Sequence, residues 1–378
     1  MQVKEICKTK CTGCAACAAI CPVGAIELIE NKNGFREPVV DSRLCVNCNL
    51  CVKVCNKDNE YNDVIKAYIA KHNIKDVYRS SQSGGAFTAI TDYILEQGGV
   101  VYGAVFDDNF EVKHIRATVS SDRDKMRGSK YIQSNIDAVY QEIEIDLKNR
   151  SLVLFVGTGC QLAGILKYFR QKKVDTSNLY TVDILCHGVP SAFIWRNTLE
   201  YLRKKYRIDI TEVELKEIEE NTRPVMCIKM GDKEISDVVY RKLYYSNLAL
   251  RESCYSCQYT KTTRVSDITI GDAWGIEKAN PEFNDKRGVS LILFNTIKGK
   301  KIEKYILENM EIKEVDINNY LQECLVSSAR TKRKTSEFWK DYHNKSFGYI
   351  VEKYAKHNPF FNIPYIFMRI YKKITGEK

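Results

Sequence analysis

"SLVLFVGTGCQLAGILKYFRQ", residues 151–171, decides the fold. Leu152 to Val156 is a short run of β-branched, aromatic and aliphatic residues, too short for a buried helix, so it reads as an interior strand. Gly157 and Gly159 then turn the chain into a helix that begins at Cys160. "YTVDILCHGVPSAFIWRNTLEYLRKKY", residues 180–206, repeats the plan of strand, cysteine, turn and helix. Two strands joined by a helical crossover lie parallel and side by side, because the right-handed connection packs back on the sheet only that way. Cys160 and Cys186 therefore emerge at one edge, the edge where open α/β sheets bind their ligands. Cys160 also opens a helix, whose dipole favours a thiolate.

Two thiolates at one rim call for two more ligands. "RESCYSCQY", residues 251–259, offers Cys254 and Cys257, ahead of "DITIGDAWG", a strand whose alternating isoleucines suit the same sheet. Four thiolates from three segments suit a 4Fe-4S cluster at the mouth where a cofactor binds. Two alternatives stay open on spacing: a thioredoxin-like disulfide between Cys254 and Cys257, and a zinc site built from the same four residues. The disulfide reading expects the pair to open a helix, whereas here it precedes the polar turn "TKTTR". Zinc has no redox role.

A redox context comes from the first sixty residues. "CTGCAACAAICP" places Cys11, Cys14, Cys17 and Cys21 at C-x2-C-x2-C-x3-C-P, and "CVNCNLCVKVC" repeats the spacing with Cys45, Cys48, Cys51 and Cys55. In this pattern three thiolates wrap one cubane and the fourth crosses to the other cluster. The expected sets are Cys11, Cys14, Cys17 and Cys55 for one 4Fe-4S cluster, and Cys45, Cys48, Cys51 and Cys21 for the second. Thr12, Gly13, Ala15 and Ala16 are small enough to let backbone N–H groups reach the sulfurs. "GAIELIENKNGFREPVV" between the copies reads as a hairpin turning at "NKNG". The second copy ends in Asn56 instead of proline, and Cys7 stands outside both motifs as a spectator.

The expected fold class is an α+β ferredoxin-like dicluster domain, followed by a larger α/β domain with a mixed sheet. The divisions are 1–60 for the dicluster domain, 61–150 and 151–330 for the two parts of the larger domain, and 331–378 for a basic, aromatic tail. In the first of these parts "SQSGGAFTAITDYILEQ" is a Ser/Gly turn opening an amphipathic helix, and "GVVYGAVFD" and "FEVKHIRATV" are strands. "MRGSKYIQS" is a second polar turn, with Lys130 as a fixed cation. Turns rich in N–H and hydroxyl donors suit a phosphate or pyrophosphate. No G-x-G-x-x-G follows a strand, so a Rossmann site is not indicated.

The 378 residues include 15 cysteines and carry a net charge of +10. Metal-type cysteine spacing and the lack of a signal-like N-terminus point to a reducing cytoplasm. No apolar run is long enough for a transmembrane helix. Residues 331–378 hold eleven Lys/Arg against four Asp/Glu. "FFNIPYIFMRIYKKITGEK" interleaves aromatics with cations and suits peripheral membrane contact or packing on the body, with Pro364 breaking a long helix. No nucleic-acid-binding module is present.

In order along the chain, "SQSGGAFTAI", "RGSKYIQS", "GTGCQLAG", "LCHGVPS", "RESCYSCQY" and "DITIGDAWG" resemble the family of coenzyme F420 hydrogenase/dehydrogenase beta subunits. Its members are flavoproteins with an iron–sulfur cluster beside FAD. The resemblance implies FAD held in part by Ser81, Ser83, Gly84, Gly85, Ser129 and Lys130. It also implies that Cys160, Cys186, Cys254 and Cys257 hold the inner 4Fe-4S cluster. One departure is Gly159, where the family carries proline. The expected activity is an oxidoreductase relay from ferredoxin, or another low-potential donor, through the clusters to FAD and an organic acceptor. That acceptor is F420 or a metabolite of polysaccharide-related metabolism. His187, Lys130 and Tyr131 are the candidate proton donors. Competing readings are an electron-transfer protein that needs a partner redox subunit, and a non-catalytic sensor or scaffold.

Overall fold

The structure is a computed structural model and describes residues 10–55, 59–207, 209–217, 224–230, 233–330 and 334–356. The N-terminal part contributes helix Ala16–Ala19 (α1), strands Ile26–Glu30 (β1) and Arg36–Val40 (β2), and helix Leu50–Lys53 (α2). Strand Lys66–His72 (β3) leads to helix Ala86–Glu96 (α3), strands Val100–Phe106 (β4) and Val112–Ala117 (β5), and helix Val139–Lys148 (α4). Strand Val153–Thr158 (β6), helix Gly159–Lys172 (α5), strand Leu179–Ile184 (β7) and helix Ala192–Tyr206 (α6) follow. Glu212–Glu217 (β8), Pro224–Met230 (β9) and Lys233–Asp237 (β10) form a small antiparallel sheet before helix Val239–Tyr245 (α7). Ile268–Asp272 (β11), Ser290–Phe294 (β12) and Met310–Glu314 (β13) come next, then helix Thr335–Asn344 (α8).

The expected hairpin is β1–β2, paired antiparallel. The main sheet has eight strands in the order β13-β3-β12-β11-β7-β6-β4-β5. Its four central strands, β11, β7, β6 and β4, run parallel, with antiparallel partners on both flanks. This is the mixed sheet of the expected α/β domain. β6 and β7 are adjacent and parallel, and β11 lies parallel against β7. The segments that carry Cys160, Cys186 and Asp272 therefore all leave the sheet at the same end. β3 runs opposite to β12 and ends there too, so the Ser81–Gly85 turn also lies at this end.

α5 starts at Gly159, one residue ahead of the start read from the sequence. Thr158 caps it, and Gln161 Oε1 accepts from the Thr158 N–H at 3.0 Å to close a reciprocal box. Such a cap contributes about 1 kcal/mol. It also sets the first turn of the helix, on which Cys160 stands.

The dicluster segment does not sit apart as a separate bead. Ala15, Ala16, Ile20 and Val54 share one apolar cluster with Tyr140 and Ile143 of α4 and with Leu162 and Ile165 of α5. The opposite sheet face packs under α3, through Ile90 and Ile94 on Val101, Leu154, Val182 and Ile292. In the tail, Phe338, Ile350, Val351 and Tyr354 bury against Trp195, Leu199 and Tyr240, so its first part is packed on the body. Trp339 meets Phe35 of the N-terminal hairpin loop edge-on at 6.1 Å. The stretch from Phe360, read above for membrane contact, lies outside the described residues, as does Cys7. No described helix is long and apolar enough to cross a membrane.

Candidate functional site

The eight N-terminal cysteines divide into two sets. Cys14 is half-buried, and desolvation pushes its thiol up to about 11, with Cys11 and Cys55 close enough to raise it further. Burial raises the Cys17 thiol as well, and Cys14, Cys11 and Cys55 add to the effect. Cys21, Cys45, Cys48 and Cys51 instead line a separate hollow, with Cys48 exposed. Cys55 of the second repeat thus neighbours the first three thiols, and Cys21 of the first repeat neighbours Cys45, Cys48 and Cys51. Backbone N–H groups reach the sulfurs, from Gly13 to Cys11 at 3.4 Å and from Ala25 to Cys21 at 3.2 Å.

Three separate segments bring Cys160, Cys186, Cys254 and Cys257 together. Burial pushes the Cys160 thiol up to about 12, with Cys257 and Cys254 as further raising neighbours. For Cys186 burial again dominates, followed by Cys254, Cys160 and Cys257. The helix-dipole expectation for Cys160 needs correction here, because desolvation outweighs whatever the α5 terminus offers. Four buried thiols in mutual range repel one another once ionised, so deprotonation needs cationic metal at their centre. All four are unbridged thiols. Four thiolates drawn from three segments suit a cubane, in which each binds a different iron. Val189 N–H donates to Cys254 Sγ at 3.3 Å, the same type of contact as in the N-terminal sets.

The two regions touch at α5. A Cβ on Gly164 would lie 2.9 Å from Cys14 Sγ, so glycine is the residue that admits Cys14 to the helix surface. Tyr140 donates to the Cys14 carbonyl at 2.5 Å. Gly159, the departure from the family's proline, has an equally local reason. A Cβ there would stand 3.1 Å from Cβ of Tyr259, whose ring borders both Cys160 and Cys14.

A cavity of about 290 Å³ adjoins the inner four, with Cys186 in its wall. Ser81, Ser83, Gly85, Ser129 and Lys130 also line it. Gly84 does not. A Cβ there would meet Ala70 O at 2.0 Å and Ser290 N at 2.5 Å, so Gly84 serves the packing of the turn against β3 and β12. Ser83 Oγ is buried beside the cavity and lies near the Asp272 carboxyl in the same wall. A buried hydroxyl and carboxyl facing a cavity suit a polar ligand group.

Lys130 lines the cavity, but its ammonium is turned onto its own loop. Its Nζ donates to the carbonyls of Met126, Arg127 and Gly128 at 2.9, 2.7 and 3.0 Å, and to Lys125 O at 3.3 Å. Burial pulls its pKa down to about 7. The ammonium staples the 125–130 turn instead of reaching for a phosphate. Lys130→Met should lower stability by about 1–3 kcal/mol, the cost of leaving such oxygens unmet, read as an earlier urea midpoint with iron content retained.

His114 lines the same cavity, with Nε2 2.8 Å from Val156 O and Nδ1 2.8 Å from Ser134 Oγ. Burial lowers its pKa from 6.5 to about 4, so the folded ring stays neutral where the unfolded one takes a proton. The contribution to stability is complete above about pH 6.5 and is lost progressively as pH falls toward 4. Between pH 7.5 and 5 roughly 2 kcal/mol of the wild-type loss should disappear in His114→Phe, measured by urea unfolding at both pH values.

His187 lines the cavity, with Nε2 2.6 Å from Asn247 Oδ1 and Tyr244 and Tyr245 at 5.5 Å. Tyr131 lines it too, 5.4 Å from Tyr244. Three residues that the sequence reading passed over share the site. Asp272 stands in the wall, its carboxyl raised above the usual range by burial and partly drawn back by Ser83. Cys324 and the half-exposed Trp274 stand in the same wall. Asp272 and Trp274 lie inside "DITIGDAWG", so that motif was the available signal; a single cysteine at 324 offered none.

Comparison with known proteins agrees with this arrangement. Residues 67–141 match the N-terminal half of the family described as "Coenzyme F420 hydrogenase/dehydrogenase, beta subunit", and residues 151–319 match its C-terminal half. Residues 10–59 match a 4Fe-4S dicluster domain. The chain is 25% identical over 373 residues to the coenzyme F420-dependent sulfite reductase of Methanocaldococcus jannaschii. That match covers 91% of this chain but only 54% of the relative, so the chain spans about half its length. It is 23% identical over 323 residues to one component of the F(420)H(2) dehydrogenase of Methanosarcina mazei, covering 80% and 84% of the two chains. A chain of the F420-reducing [NiFe] hydrogenase complex of Methanosarcina barkeri shares the fold, with a TM-score of 0.52 at 18% identity over 77% of this chain and 97% of that one. The chain belongs to the family of coenzyme F420 hydrogenase/dehydrogenase beta subunits, with a 4Fe-4S dicluster domain ahead of the family's two halves.

Proposed function

We propose that the chain is an iron–sulfur flavoprotein oxidoreductase that relays electrons from a low-potential donor, such as a ferredoxin, to an organic acceptor, with FAD in the cavity. The observation that carries this reading is the order of thiol sets in space. The Cys21, Cys45, Cys48 and Cys51 set reaches the surface at Cys48, Cys14 of the next set stands beside Cys160, and Cys186 of the inner set is part of the cavity wall. A bound flavin exchanges electrons singly or in pairs, which is what an organic acceptor requires and iron–sulfur clusters do not supply.

The chain's own groups have distinct parts in this reading. Ser81, Ser83, Gly85 and Ser129 would hold the polar end of FAD, with Lys130 ordering the turn that carries Ser129. Tyr131, Tyr244 and His187 would flank its ring near Cys186. Asp272 and His187 are the groups placed to hold a proton for the acceptor. F420 is the first acceptor to try, since the relatives in the comparison carry it in their names.

The second reading is an electron-transfer component that works only with a partner redox protein. It is favoured by the solved neighbour's place in a hydrogenase complex and by the exposed Leu44 and Val46 beside the outermost thiol set. One assay decides both. The anaerobically purified full chain is supplied with reduced methyl viologen and F420. One flavin per chain with turnover by the chain alone supports the complete enzyme, and flavin with turnover only after a partner is added supports the dependent component. Absence of flavin rejects both.

A further inference from the structure

Three arginines are almost fully buried among the described residues: Arg123, Arg251 and Arg264. Arg123 is paired with Asp92 and Asp124, and Arg264 with Asp183. Among the described residues Arg251 meets only neutral oxygens: Gln133 Oε1 at 2.6 Å, Arg36 O at 3.2 Å and Cys11 O at 3.4 Å. Its guanidinium lies 5.1 Å from the Phe35 ring, and its Nε is buried with no hydrogen-bond partner among the described residues. A buried charge without a counter-charge costs several kcal/mol, so the missing negative charge is the question this side chain raises.

Two thiol sets answer it. On one side the guanidinium donates to Cys11 O, and a Cβ on Gly13 would stand 2.8 Å from its Nη2. Three residues along is Cys254, whose N–H donates to the Arg251 carbonyl at 2.9 Å, so the same turn carries the inner-set thiol. Ser253 donates to the same Cys11 carbonyl at 2.9 Å. Gln133, itself in the cavity wall, donates to Thr12 O at 2.9 Å and Gly13 O at 3.3 Å. The first cluster loop, the inner-cluster motif and the cavity loop are thereby joined at one cation.

We infer that Arg251 is a positioning cation whose counter-charge is the pair of iron–sulfur centres on either side of it, and that it eases the reduction of both. The inference rests on the three-centre reading proposed above. Each centre gains one electron, and hence one negative charge, on reduction. A fixed cation nearby stabilises the reduced state and raises the potential, and low local dielectric makes the effect larger than at a surface. The guanidinium fork also holds the Cys11 loop against the 251–254 segment, so charge and geometry come from one residue.

The test uses the full chain, purified anaerobically as wild type, Arg251→Lys, Arg251→Gln and Arg251→Met. Iron is counted, and each centre is followed in an EPR-monitored redox titration. The glutamine and methionine variants should make the two flanking centres harder to reduce by about tenfold in the reduced-to-oxidised ratio, about 59 mV for one electron. The Cys21, Cys45, Cys48 and Cys51 centre should not move, and Arg251→Lys, which keeps the charge and loses the fork, should stay near wild type. Unchanged potentials in the two neutral variants, or an equal shift of all three centres, would overturn the inference. Iron lost from the neutral variants but kept by the lysine variant supports the charge role, whereas iron lost from all three overturns it. A wild-type chain with about eight irons rejects the three-centre reading itself, and the Cys11 centre then still reports on Arg251.

Discussion

Cys254→Ser is expected to take the chain from about twelve irons to about eight, three cubanes of four becoming two. One reduced-cluster EPR signal should go with them while two remain. The expectation follows from which thiols are neighbours. Cys254 lies with Cys257, Cys186 and Cys160, and not with either N-terminal set. The remaining three thiols are buried, and burial raises each of them, so they stay protonated unless iron compensates. Serine is a poor substitute for the missing thiolate. Iron and acid-labile sulfide analysis together with low-temperature EPR checks the result. A variant that still holds about twelve irons, or a wild type with only about eight, would remove the inner cluster from this account.

Gly164→Leu is the second large effect. A side chain at 164 meets Cys14 Sγ and Tyr140 Oη, each 2.9 Å from its first carbon. Leucine is a better helix former than glycine by up to about 1 kcal/mol, yet overpacking costs about 1–3 kcal/mol, and here the obstacle is a cluster ligand. The expected outcome is a chain that keeps its iron but whose inner centre is reduced much more slowly by a donor acting at the outer one. Stopped-flow reduction with the centres resolved by freeze-quench EPR measures it. Unaltered reduction of the inner centre would mean that Cys14 and α5 are not the crossing point.

Much of the fold was legible because it rests on short-range patterns. The β1–β2 hairpin and the strand–cysteine–turn–helix repeats each lie within a few tens of residues, and each appears where the spacing places it. The dicluster repeat was legible for a related reason, since thiolate spacing must match the dimensions of a cubane. What failed concerned side-chain direction. Lys130 was read as a fixed cation for a phosphate, but the turn curls its own carbonyls around the ammonium. Gly84 looked like part of a cradle, but the turn presses it against β3 and β12. Sequence period locates an element; it does not say which way one polar side chain leaves it.

By itself, the amino-acid sequence determined the element types, the dicluster cysteine repeat and the sheet edge at which the cavity is built, because spacing, periodicity and crossover handedness are local or nearly so. Only the tertiary structure decided that the dicluster segment shares a core with α4 and α5, that Cys14 stands at Gly164, and that Arg251 bridges the Cys11 loop to the Cys254 turn. Those contacts join residues more than a hundred positions apart. They exist because burying apolar area brings distant segments together, and that burial then fixes where each charge and each sulfur must find its partner.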